Sequence, residues 1–211
     1  MSNYDQANNH LLLATGALAI VGSLVLVIGN IVGSIVVPDH DWIADTVSDL
    51  AAGKYEIIQD VALYCYAGSL IACALGAAHF HLDGARWNIG IACLSLLAIC
   101  VVIIGARNEY GDQDNEGIVI HIYVVYVLGL VFAALFLLMA NGMAKVARRY
   151  AVISYFCAAL WIVGAPIFFI VPTGYDGAFE RGLGMIAVVW TMTFAWLLIS
   201  VAHNRAHTTH P

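Results

Sequence analysis

Reading along the chain, polar positions cluster in short stretches and the residues between them are almost continuously apolar. Six apolar stretches stand out, at about 11–37, 57–80, 88–106, 118–140, 151–172 and 183–203. Each is long enough to cross the roughly 30 Å hydrocarbon core of a bilayer as a helix. The fourth is the cleanest, with His121 as its only strongly polar residue between Ile118 and Ala140. The pattern predicts an all-α, polytopic transmembrane helical bundle of six spans in a single domain over 1–211, with short loops. One loop carries a second pattern. Between Asp41 and Ala52, helical spacing puts Asp41, Asp45, Ser48 and Asp49 on one face and Trp42, Ile43, Val47 and Leu50 on the other. This predicts an amphipathic interfacial helix over about 41–52, with Trp42 at headgroup depth and Gly53 as its stop.

Composition agrees that the solvent is lipid. Of the 211 residues, 62% are hydrophobic and only 10% are charged, against about 25% charged in a soluble domain. The mean hydropathy is +0.88. The segment 11–37 is too long for a cleavable signal and is read as a retained first span.

Charge then supplies an orientation. With the N-terminus inside, the inner segments hold Arg86, Lys145, Arg148, Arg149 and Arg205, and the outer loops hold Lys54, Arg107 and Arg181. That asymmetry favours N-in/C-in in the inner (cytoplasmic) membrane. Acidic residues sort the same way, twelve of the fourteen falling on the outer side and only Asp5 and Asp83 inside. No basic stripe exists, so nucleic acid is not an expected partner; membrane lipids are, with other membrane subunits or a second copy also open.

Candidate chemistry sits at the outer ends. His121 is an ionisable residue inside a span, which by default faces the bundle interior and marks a site. Asp60 lies a turn inside the second span, where the helix dipole favours a carboxylate. Glu180-Arg181 precedes the sixth span and Arg107-Asn-Glu109 follows the third; their guanidinium groups either pair with the acidic rim or grip an anion such as a lipid phosphate. Asp112 to Gly117 opens like a calcium loop, but Tyr123 stands where the bidentate Glu is required, so the motif fails. His203, His207 and His210 have metal-like spacing with little carboxylate support nearby. The five cysteines lie in apolar runs without paired spacing and read as packing residues. Lys54 and Lys145 fall in loops, so a retinal-type Schiff base has no mid-membrane lysine, and no cofactor is expected. Gly29-x-x-x-Gly33 in the first span, and Gly129 with Ala133 in the fourth, suggest close helix packing.

Three markers in order, Thr46-Val-Ser48-Asp49-Leu50, then Gly105 with Asp112 and His121, then Glu180-Arg181 with Trp190, give the chain a further likeness. It resembles the domain-of-unknown-function 998 membrane proteins of bacteria and archaea, with Ala51 where a glycine is expected. The resemblance implies about six spans and no assigned activity. It also implies that Ser48, Asp49, His121, Glu180 and Arg181 converge at the outer face. The expected catalytic set is His121 as general base, oriented by Asp49 or Glu180, with Ser48 as nucleophile. The expected ligand-binding set is Arg181, Arg107, Asp45 and Asp60, with no metal. The reading is lipid-headgroup recognition or lipid hydrolysis and transfer. The alternatives are a non-enzymatic accessory or scaffold subunit of a larger membrane complex and, more weakly, a small carrier.

Overall fold

The structure, a computed structural model, describes residues 8–82, 84–106 and 120–208, residues 207 and 208 by backbone only. The elements are α1 (Asn9–Val36), α2 (Val47–Leu50), α3 (Glu56–His79), α4 (Ala85–Ala106), α5 (Ile120–Ala144), α6 (Arg148–Phe168) and α7 (Asp176–Thr208). All but α2 are long and apolar enough to cross a membrane. Large apolar side chains stand exposed along their outer surfaces, for example Leu18, Ile35, Leu130 and Val163. In water such a surface would be ruinous; against lipid tails it costs nothing, and the helices satisfy their own backbone. The protein is a multi-pass membrane protein of the all-α class.

The spans form a ring. Each packs on its neighbour in sequence, and α7 closes the ring against α1. Small residues bring the backbones together, as the sequence led us to expect for Gly29: a Cβ there would strike Ala62 of α3, and one on Gly22 would strike the Cys65 carbonyl. Gly129 behaves differently. A Cβ on it would meet nothing within 4 Å, because it faces a cavity and not a neighbouring helix.

The two halves of the bundle are filled unequally. At the end carrying the termini, aromatic side chains stack into a solid column. Trp190 lies parallel to Phe194, ring centroids 5.6 Å apart, and Phe136 joins Trp190 to Trp161. The buried indole N–H groups are satisfied. Trp87 donates to the Ala77 carbonyl, and Trp190 to Ser154 Oγ, which donates in turn to the Phe136 carbonyl. At the opposite, acidic end the ring encloses a cavity of about 370 Å³.

Three departures from expectation bear on the acidic end. The interfacial helix over 41–52 is not continuous. Asp41 accepts from the amides of Ile43 and Ala44 in a tight turn, and Thr46 starts a new helix that lasts only from Val47 to Leu50. A local cap here overrides an amphipathic pattern that spacing alone would extend. Next, α6 stops at Phe168 and not near 172, two residues beyond the imino group of Pro166. Finally, α7 begins at Asp176, so Glu180 and Arg181 lie within its first two turns and not in the loop before it.

Candidate functional site

The acidic end is organised around α2. Thr46 caps this short helix: its hydroxyl accepts the Asp49 amide at 3.2 Å, while the Asp49 carboxylate takes the Thr46 amide at 2.6 Å and its hydroxyl at 2.8 Å. Such reciprocal caps contribute about 1 kcal/mol. Leu50 is buried against Gly33 of α1. From across the bundle, Glu180 of α7 accepts the Val47 amide at 2.6 Å. These three attachments leave Ser48 facing α5, where its hydroxyl lies 3.2 Å from Nε2 of His121. His121 is buried, 6% exposed.

Arg181 holds the segment before α2. Its Nε donates to Asn30 Oδ1 at 3.1 Å, and Nη1 donates to the carbonyls of Trp42 and Asp45 at 3.0 and 2.7 Å. Nη2 donates to Nε2 of His40 at 2.8 Å, and the guanidinium lies over the Trp42 ring at 4.4 Å. Four of the five N–H donors of this buried fork are therefore engaged by α1 and the loop. Its geometry is that of a clamp, with backbone carbonyls where an anionic ligand's oxygens would otherwise sit. The Ala178 N–H donates a hydrogen bond to the Ile43 carbonyl at 2.9 Å, and Gly177 packs directly on the Asp45 backbone.

His40 completes the clamp. Accepting from Arg181 at Nε2 fixes the neutral tautomer with its proton on Nδ1, which faces Asp45 Oδ2 at 3.5 Å. Burial, helped by the adjacent Arg181 charge, holds its pKa below the ordinary 6.5 despite the opposing pull of Asp45, Asp49 and Asp41. Asp41 is held low by the Ile43 and Ala44 amides.

Of the residues singled out from the sequence, Ser48, Asp49, His121, Glu180, Arg181 and Asp45 come together here. Asp49 and Glu180 each accept a backbone N–H at the start of α2, from Thr46 and Val47. Asp60 lies a turn into α3, partly buried, with one carboxylate oxygen unpartnered among the described residues. Arg107, Asp112, Asp114, Glu116 and His210, and the side chain of His207, lie outside the described residues. Among those described, no three His, Cys, Asp or Glu gather as a metal site. Sequence reasoning missed Asn30 and His40, and it put Trp42 at headgroup depth without its contact to Arg181. Gln59, beside Asp60 at the outer end of the second span, is wholly buried with neither amide atom partnered among the described residues, one turn toward the acidic end from Leu63.

Beneath the Ser48–His121 pair lies the cavity. Trp42, Ser48, His121, Glu180 and Arg181 form its mouth, and apolar side chains from all six spans form its walls. Its floor is Phe132, Trp161 and Tyr66, whose hydroxyl pairs with Thr191 at 3.1 Å. The site is thus polar at one end and greasy along its depth.

A family model described as a protein of unknown function (DUF998) matches residues 20–197. No curated protein and no solved structure matches the chain. The match takes in all three sequence markers and every helix that builds the site, and the chain belongs to the DUF998 family.

Proposed function

We propose that this protein cleaves or transfers an acyl ester of a membrane lipid at the acidic end of its bundle, with Ser48 as nucleophile and His121 as general base. The observation that carries the reading is the 3.2 Å contact between Ser48 Oγ and His121 Nε2 at the mouth of an apolar cavity. A hydroxyl is a weak nucleophile until a neighbouring base takes its proton, and a buried imidazole within hydrogen-bond reach is placed to do so. A lipid ester matches the site's polarity: the carbonyl would lie at the Ser48–His121 pair and the tail below it.

In the first half-reaction Ser48 Oγ adds to the ester carbonyl carbon as its proton passes to His121 Nε2. The C–O bond to the alcohol portion then breaks, and His121 returns the proton to the departing oxygen. In the second, water or a lipid hydroxyl gives its proton to His121 and attacks the acyl-serine carbonyl; the acyl–Oγ bond then breaks, His121 returns the proton to Ser48 Oγ, and the acid or a new ester is released. Asp49 and Glu180 keep Ser48 in register, and Arg181 secures the loop that carries it. The charge asymmetry of the loops supports placing this end on the extracytoplasmic side of the cytoplasmic membrane. A carrier draws no comparable support, since the aromatic column fills the other half of the bundle.

Purified protein assayed on ester lipids tests the reading. Ser48→Ala and His121→Ala should each lower kcat/KM by about 10²-fold or more, the scale of a lost nucleophile or base. Turnover unchanged in both variants removes the catalytic role.

A further inference from the structure

We infer that the hollow half of the bundle is a chamber for a single acyl chain, entered sideways from the bilayer, with Gly129 and Gly184 keeping it open. This rests on the reading of Ser48 and His121 as the ester-cleaving pair, which fixes the end of the lipid that stays at the mouth.

The glycines distinguish the chamber from ordinary packing. At Gly22 and Gly29 an added Cβ would collide with the next helix, whereas at Gly129 of α5 and Gly184 of α7 it would meet nothing within 4 Å. Both of these line the cavity. Any larger residue would therefore project into the space a tail would use. The Gly129 carbonyl takes the Trp161 N–H at 2.8 Å, so the indole is paired and does not face the tail as a free donor.

Two dimensions agree on the guest. A cavity of about 370 Å³ holds on the order of a dozen methylenes, each taken as roughly the ~30 Å³ of a water molecule. From His121 at the mouth to Phe132 at the floor is eleven residues of α5, about 16 Å at 1.5 Å per residue. A dozen carbons in zigzag, with bonds of about 1.5 Å, extend roughly 15 Å. Among the described residues the lining below the mouth is apolar apart from Asn30 and the Tyr66 hydroxyl, and these already pair with Arg181 and Thr191, so an apolar guest is favoured over water. Entry is lateral: Phe169 at the end of α6 and Met185 on α7 line the cavity yet are 39% and 46% exposed. They flank a seam that opens toward lipid.

Full-length protein in membranes, given a phospholipid with a terminal diazirine on an acyl chain of about twelve carbons, tests this by photolabelling and peptide mass mapping. Labels should fall on Leu128, Phe132 or Trp161. They should drop at least tenfold in Gly129→Phe and Gly184→Phe and persist in Gly129→Ala and Ser48→Ala. Labels confined to lipid-facing positions such as Leu130 overturn the chamber, as do wall labels untouched by both phenylalanine variants. If those variants fail to fold, the wild-type label map decides alone. Wall labelling in a protein without esterase turnover keeps the chamber and removes the catalytic reading; turnover with bare walls does the reverse.

Discussion

At the scale of single residues, the site depends on groups whose partners are mostly backbone. Arg181 satisfies two carbonyls, an asparagine and a neutral histidine, so one of its ties to the loop before α2 lasts only while His40 stays uncharged. The sign of its pH dependence follows. The His40 pKa is lower in the folded protein than its ordinary 6.5, so the unfolded chain binds the proton more readily. The stability from His40 is complete above about 6.5 and declines as pH falls from there through the folded value. Asp41, also held low, keeps its contribution until well below that window. Thermal midpoints should therefore drop between pH 7.5 and 5.5 in the parent and change less in His40→Gln; equal pH slopes in the two would assign the loop's stability elsewhere. None of this could be read from sequence. Carbonyl acceptors carry no residue signature, and His40 stands in an unremarkable loop position, whereas His121 was legible because an ionisable side chain beside lipid demands a reason, and Ser48 and the Glu180-Arg181 pair were joined to it through the family resemblance.

At the scale of elements, apolar run length was enough to find six spans, because lipid enforces helices of at least ~20 residues and forbids little else. The failures came where local chemistry competes with periodicity. The Thr46–Asp49 cap cut an expected twelve-residue amphipathic helix down to four residues, and Gly129 read as a packing glycine is instead a wall of the cavity. The start of α7 offers a decisive substitution. Helix propensity alone favours Gly177→Ala by about 1 kcal/mol, yet a methyl there would overlap the Asp45 carbonyl and press on Arg181. Packing should win. Ester turnover is expected to fall at least tenfold and the thermal midpoint to decrease, measured side by side; a stabilised, fully active Gly177→Ala would mean that the α7 contact with the loop does not position Ser48.

At the scale of the whole molecule, the bundle is solid at one end and hollow at the other, and the polar site stands over the hollow half. That asymmetry arises from how the side chains meet: Trp87, Phe136, Trp190 and Phe194 pack into one another at one end, while the residues around the other, aliphatic and aromatic, leave a cavity between them. A solid floor and a lateral opening suit a molecule that draws a lipid in from the side and works on it near the membrane surface. Reactivity of Ser48 toward a lipid-like electrophile tests this most directly. Intact-mass and peptide analysis after exposure to a dodecyl fluorophosphonate should find one adduct, on Ser48, at least tenfold weaker in His121→Ala. A wild-type protein that stays unmodified at Ser48, or is modified there equally without His121, would contradict it.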